Sequence, residues 1–391
     1  MDYRIIPEED VNQVLNLKEY CFVSTHDANQ LAETQAWLRL HVGLGGYDGK
    51  NLVSQLFILP LHMNIFGVKF SMGGIGIVST YPEYRNGGIT KQLLQESFVK
   101  MKENGQVLSV LSPFSIGFYR HFGYEVFFEN SNYTIPVEKM ELREKAEGKV
   151  VRFDYSSDNY EKWMPKVIAF HEEQVKEING HMHRDERWWN RLKQREPKAH
   201  FAVSLDKDGN VQAYIRYFLN KPKLEIEDFY TKNIEAKRIL WQFVQSHHSQ
   251  IEEVIGRAPI SDSFGYHLKE PFSKQELFYD KMIRIIDVKE FLKQYPFEKL
   301  AKSLYVKIHD RHAEWNNQVY KIDTNGEVTN PQAVAQEKIL EMDIGSFSAM
   351  MAGYHGLAWY RKNDYAQVSD EAAAYWQMAI PIGFPRFNDF F

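Results

Sequence analysis

The chain holds a single cysteine, Cys21, which excludes an intramolecular disulfide and any Cys-x-x-Cys metal site. No run reaches the ~18 apolar residues of a membrane span. The opening "MDYRIIPEED" lacks the basic-then-apolar order of a signal peptide, so a cytoplasmic protein is expected. Positive charge is also in short supply. The formal net charge of −5 argues against a nucleic-acid footprint, because phosphate backbones call for a basic surface; a cationic small substrate fits the sign better. Low-complexity segments are absent. With 44% hydrophobic and 25% charged residues over 391 positions, the composition is that of a globular protein of two to three domains of ~100–200 residues each.

Three segments follow one another. In the first, "LAETQAWLRLHV" has helical spacing, "NLVSQLFILPLHMNIFGVKFSMGGIGIVSTY" reads as successive strands with a turn, and "KQLLQESFVKMKENG" is an amphipathic helix closing at Gly105. A short strand, "VLSVLSP", precedes the helix-like "FSIGFYRHFGYEV". The charged stretch near 136–150 reads as a connector. A second pass repeats the order: a helix in "YEKWMPKVIAFHEEQVKEI", a hairpin turning at Asp208-Gly209, and a helix in "IEAKRILWQFVQSHH". The third segment, from "RIIDVKEFLKQYPF", offers a strand in "LYVKIHD", a hairpin around Thr324-Asn325-Gly326 and the helix-like "DIGSFSAMMAGY". The expected class is α/β or α+β with central sheets.

The informative stretch is "YPEYRNGGITKQLL", where Arg85 and two adjacent glycines join a strand-like run to a helix-like one. A helix leaves its first N–H groups unpaired and carries partial positive charge there. A glycine turn at that point can therefore accept phosphate oxygens through backbone donors, and Arg85 adds charge-assisted contacts. A Walker A sequence is absent. Gly74-x-Gly76 is not completed to G-x-G-x-x-G, since Ser79 stands at the third position. The second pass has "YTKNIEAKRILW" at the corresponding place, with no Arg-x-x-Gly.

Arg85-Asn86-Gly87-Gly88-Ile89-Thr90 resembles motif A of the GNAT acyltransferases, with Thr90 where glycine or alanine is usual. About 30 residues on, "SPFSIGFYRHFGYEV" resembles the aromatic signature closing many GNAT domains. Taken along its length, the chain resembles the enhanced-intracellular-survival (Eis) acetyltransferases. That resemblance implies a GNAT domain over 1–148, a degenerate GNAT-like domain over 149–286 and a sterol-carrier-like domain over 287–391. It also implies acetyl-CoA as cosubstrate with no metal, a homo-oligomer (a hexamer), and acetylation of a primary amine on an aminoglycoside, a polyamine or lysine.

Acetyl transfer to an amine needs the thioester held, its carbonyl polarised, a proton removed from the ammonium and one given to the thiolate. By the resemblance, holding falls to the backbone of Val78 and Thr80 and to the turn of Arg85, Asn86, Gly87, Gly88 and Ile89, and polarisation to a backbone N–H near Val78 or Thr80. Tyr119 and Tyr124 are both placed to supply the proton. Tyr119 falls on the family's acid position; a phenol with a reference pKa of ~10 stays protonated at neutral pH. The base implied is the C-terminal carboxylate, here that of Phe391. Phe22 and Trp37 fall where the family places its acceptor wall, although core packing suits them equally.

Other clusters have plainer readings. His309-x-x-His312 and His181 to His183 lack a third metal ligand nearby and read as surface or structural histidines. Trp188 and Trp189 read as a helix packing its aromatic face, and "FSAMMAGYHGLAWY" as core rather than a lipid pocket. Two competing functions stay open: a non-catalytic acyl-CoA or lipid binder, and a protein lysine acetyltransferase, since acceptor pockets are built from variable loops.

Overall fold

A computed structural model describes residues 1–25, 35, 36, 38–259, 264–270 and 274–391. They form two compact units, Met1–Phe127 with Asn179–Met182 and Lys281–Phe391, and Phe128–Ile178 with His183–Asp280.

The first unit opens with β1 (Asp2–Ile5), followed by α1 (Val11–Phe22), β2 (Val42–Asp48), β3 (Asn51–Ile65) and β4 (Val68–Thr80). The helix α1 was not foreseen from the sequence; of the one expected over "LAETQAWLRLHV", Gln35, Ala36 and Leu38 are helical, residues 31–34 and 37 lie outside the described residues, and Val42 already belongs to β2. β3 and β4 are joined by the two-residue turn Phe66-Gly67, with φ of +47° and +87°. Positive φ at both positions is the geometry that matches the right-handed strand twist. α2 (Ile89–Glu103) buries Leu93, Leu94, Ser97, Phe98 and Met101 on one face. Lys100 and Lys102 in its last turn complement the negative end of the dipole. β5 (Leu108–Leu111), α3 (Ile116–His121) and the short β6 (Glu125–Val126) complete this pass.

The second unit holds β7 (Asn130–Pro136), β8 (Lys149–Asp154), α4 (Tyr160–Glu177), α5 (Glu186–Arg195), β9 (His200–Leu205), β10 (Val211–Asn220), β11 (Lys223–Thr231), α6 (Ile234–Gln245), β12 (Glu253–Pro259) and β13 (Lys274–Phe278). Its sheet runs β13-β7-β12-β11-β10-β9-β8. Trp188 and Trp189 on α5 are buried, as expected of a helix packing its aromatic face. The stretch near 136–150 is more than a connector: Met140 and Leu142 are buried in this unit's core, and Leu142 bridges to Leu268.

The chain then returns to the first unit. β14 (Met282–Ile285) inserts between β5 and β6, giving the first sheet the order β1-β2-β3-β4-β5-β14-β6. A strand from beyond residue 280 thus completes the first sheet, while β7, from before residue 148, sits in the second. α7 (Val288–Gln294), β15 (Leu304–His309), β16 (Val319–Ile322), β17 (Val328–Thr329), β18 (Ile339–Asp343), α8 (Ile344–Met351), α9 (Leu357–Lys362), β19 (Ala366–Gln367) and α10 (Asp370–Ala379) form the remaining domain. Its sheet runs β17-β16-β15-β18-β19. Every residue of α8 is buried, so "FSAMM" is core. The tail beyond α10 lies in the first unit and alternates, with Pro385, Phe387 and Asp389 buried and Phe384 and Phe390 exposed.

Candidate active site

β4 and β5 pair in parallel only from Met72–Leu108 to Ile75–Leu111, while β4 runs on to Thr80. Among the described residues, the β5 side of β4 has no strand ladder past Ile75. Opposite, the register with β3 slips: Gln55 faces Ser79 and Phe57 faces Gly76, so Ile77 and Val78 oppose one residue. This bulge puts Ile77 at φ +53°, a conformation a β-branched residue adopts only when its surroundings impose it. Gln55, wholly buried, braces it by donating to Ser79 Oγ at 3.0 Å and Val14 O at 3.2 Å. An opened edge beside a bulge presents backbone donors and acceptors to an extended, amide-bearing ligand. Val78 lies in this stretch. The Thr80 carbonyl is already engaged, accepting from Arg85 Nε at 3.2 Å and Cys21 Sγ at 3.4 Å, which leaves it less open to a ligand than the sequence suggested.

The turn after β4 is exposed from Arg85 to Gly88. Asn86 and Gly88 have φ of +66° and +78°, and Gly88 is the N-cap of α2, with no side-chain cap for the first amides among the described residues. No acidic residue stands in the helix's first turn. A Cβ built on Gly88 would meet nothing within 4 Å, and one on Gly87 only Tyr84 O at 3.6 Å. Packing inside the protein does not demand the bareness of Gly87. Open amides at a positive helix end do suit a pyrophosphate, so these residues fit the phosphates of acetyl-CoA. Thr90, where a smaller residue is usual, hydrogen-bonds Thr80 Oγ1 at 3.0 Å, and Thr80 in turn Ser54 Oγ at 2.7 Å. Its hydroxyl ties the start of α2 to β4. The buried Ile89 packs with Leu44, Leu93 and Leu111.

The two tyrosines separate by their partners. Tyr124 is buried and its hydroxyl is bonded to Ser109 Oγ at 2.7 Å; Ser109 itself donates to Gly73 O. Tyr119 is 2% exposed, shares a cluster with Ile75, Leu111 and Val78, and its hydroxyl makes no hydrogen bond among the described residues. Burial, with Tyr124 adding to it, pushes its pKa well above that of an ordinary phenol. Ser115 caps α3 by accepting from Phe118 N, and the exposed Phe114 ring packs edge-on to Tyr119 at 5.3 Å.

The tail brings Phe391 to the same strand. A Cβ on Gly76 would lie 3.9 Å from the main-chain carbonyl carbon of Phe391, and one on Gly74 only 2.8 Å from Phe391 Cε2 and 2.9 Å from Leu61 Cδ1. Gly74 and Gly76 form the incomplete G-x-G of the sequence; here they clear space for the tail, a role that only the tertiary contact reveals. Phe22 ends α1 with its side chain 54% exposed, so it is not core, and its neighbour Cys21 touches the end of β4. Trp37 lies outside the described residues.

The histidine clusters have other partners. His309 is paired with Glu341, His312 bonds Gln95 and His121 O, and His183 is paired with Glu172. Among the described residues no group of three His, Cys, Asp or Glu could hold a metal, and no helix is long and apolar enough to cross a membrane.

Comparison with known proteins identifies the domains. Residues 2–127 and 180–285 each match an acetyltransferase (GNAT) domain, and residues 288–382 match a sterol carrier protein domain. The chain is therefore an acetyltransferase built of two tandem GNAT domains and a C-terminal sterol-carrier-like domain. No curated protein matches it. Among solved structures, a conserved Enterococcus faecalis protein described as a "probable N-acyltransferase" is similar at 24% identity and a TM-score of 0.91, over 100% of this chain and 99% of that one. A GCN5-related N-acetyltransferase from Anabaena variabilis is similar at 22% identity and a TM-score of 0.88, over the whole of both chains. Eis1 from Mycobacterium abscessus shares 14% identity at a TM-score of 0.83, again over both whole chains. At these identities the likeness is one of fold.

Proposed function

We propose that the protein transfers acetyl from acetyl-CoA directly to a primary amine, on an aminoglycoside, a polyamine or lysine, at the opened edge of β4. The observation that carries this reading is the convergence there of an uncapped glycine turn, a buried tyrosine and the tail's last residue. Acetyl-CoA supplies an activated thioester. Arg85, Asn86, Gly87, Gly88 and Ile89 hold its pyrophosphate, and the backbone at Val78, with the Thr80 amide, aligns the pantetheine arm and polarises the carbonyl. Tyr119 gives its phenolic proton to the departing sulfur. Its raised pKa keeps that proton in place through neutral pH.

The α-carboxylate of Phe391, beside Gly76, receives the proton released from the amine. An ordinary α-carboxylate, with a pKa of about 3.3–3.7, is a weak base. It acts here through its placement and its attraction for an ammonium. Phe22 contributes to the acceptor's wall. A screen of acetyl-CoA consumption across aminoglycosides, polyamines and lysine peptides tests the proposal. Turnover with at least one amine class supports it; CoA binding without turnover of any amine would leave a binding protein instead.

A further inference from the structure

Four residues depart from the unit of their chain neighbours. Asn179, Gly180, His181 and Met182 belong with the first unit, although the segments ending at Ile178 and resuming at His183 belong to the second. Asn179, His181 and Met182 are buried. Gly180 N donates to Asn64 O at 2.8 Å, Asn64 N donates to His181 O at 2.7 Å, and Met182 bridges to Met63. The turn thereby extends the end of β3 by a short antiparallel pairing.

Asn179 uses every polar group beyond its own amide. Its Oδ1 accepts from Phe66 N in the β3–β4 turn at 3.0 Å, its Nδ2 donates to Ala352 O at the end of α8 at 2.8 Å, and its carbonyl accepts from Arg386 N at 2.8 Å. His181 meets the same tail residue, its Nδ1 lying 3.2 Å from Arg386 O. A carbonyl can only accept, so Nδ1 carries the hydrogen. The tail also lies flat on Gly180, where a Cβ would come within 2.8 Å of Pro385 Cβ and 3.1 Å of Arg386 N. From Arg386 the chain runs through the buried Phe387, whose ring lies 6.1 Å from that of Phe391.

We propose that this turn is the anchor that sets the tail against β4, and that Asn179 is a positioning residue for acetyl transfer. The inference rests on the reading that Phe391 acts at the edge of β4. A fixed tail matters because displacing a reacting group by about 1 Å costs on the order of 10²-fold in rate.

The test is Asn179→Ala in the full-length protein, measured by kcat, by acetyl-CoA affinity and by hydrogen exchange over residues 383–391. The expected result is a kcat lowered at least about tenfold, unchanged acetyl-CoA affinity and faster exchange in the tail. In a chain extended by Gly-Gly-Ser after Phe391, the same substitution should cost nothing further, because the tail already fails to act. Unchanged tail exchange in Asn179→Ala, or a loss that adds in full to that of the extension, overturns the anchor. Full activity of the extended chain alone overturns instead the reading of Phe391 on which the inference rests. Should the alanine variant not fold, Asn179→Asp keeps the acceptor for Phe66 N and loses the donor to Ala352 O, and the same measurements on it decide the matter.

Discussion

After β4 the chain turns through Arg85–Gly88 into α2, whose N-cap glycine supplies no side-chain cap; after β11 it turns through Lys232-Asn233 into α6, where Asn233 accepts from Ala236 N at 2.9 Å. The surrounding frameworks are alike. β11 pairs β12 in parallel only from Lys223–Glu253 to Ile226–Gly256 and then runs on to Thr231, as β4 outruns β5. A bulge stands at the same place, between Arg216 and Tyr217 opposite Asp228 and Ile226. What differs is how each junction is finished. The second closes its helix end with Asn233 and sets Glu235 in the first turn, where a carboxylate repels an incoming phosphate. Its bulge is locked by ions: Asp228 takes two bonds from Arg184, at 2.7 and 2.8 Å, and a third from Arg216 at 2.9 Å. Burial opposes the charge on Asp228, yet the two guanidiniums more than offset this and hold its pKa well below the usual range. An opened sheet edge is therefore a property of the fold, whereas a ligand site needs that edge and the helix end left unfinished.

The largest effect expected from breaking this contrast is on Tyr119. Tyr119→Phe should lower kcat by about 10²-fold or more with acetyl-CoA affinity nearly intact, as loss of a general acid does. Tyr124→Phe should be far milder, since that hydroxyl is held by Ser109. The reverse ranking in steady-state kinetics would exchange their roles.

Gly74→Val comes next. Its Cβ would collide with the Phe391 ring and Leu61. A loss of about tenfold in kcat, roughly 1.4 kcal/mol, is expected with CoA binding retained. A variant that folds and turns over normally would show that Phe391 need not sit there.

The pH profile should differ little from flat on its alkaline side. Because burial raises the Tyr119 pKa, the proton is lost only above the pH at which a free phenol, with a pKa of about 10, would ionise. No fall in kcat assignable to Tyr119 should appear below about pH 10. A tyrosine-dependent decline centred near pH 8 contradicts the burial argument.

The smallest effect is expected in the second domain. Asn233→Gly removes the cap and should cost a few tenths of a kcal/mol in stability, without changing acetyl-CoA affinity. A measurable change in that affinity would mean the second junction takes part in binding.

Much of the first site is legible from residues close together in sequence. Arg85–Gly88 announces itself because an uncapped helix start and a glycine turn are local properties, and Tyr119 because its aromatic surroundings are consecutive. The role of Gly74 was hidden, since the Phe391 ring that it admits lies more than 300 positions along the chain. The exchange of β7 and β14 between the sheets was hidden for the same reason: "NSNYTIP" and "MIRI" are ordinary short strands whose partners no local pattern states. Asn179 carried no sequence signal, because its three contacts, to the β3–β4 turn, α8 and the tail, come from distant segments.

The contrast between the two junctions is tested most directly by calorimetric titration of CoA into the unaltered protein and into Gly87→Val. Gly87 is the better position because, unlike Gly88, it is not in the left-handed region, so a side chain there obstructs the ligand without straining the backbone. The account predicts one CoA per chain in the unaltered protein and an affinity lowered well over tenfold, about 1.4 kcal/mol or more, in a folded Gly87→Val. Two equivalents per chain, or an unchanged affinity in the variant, would contradict it.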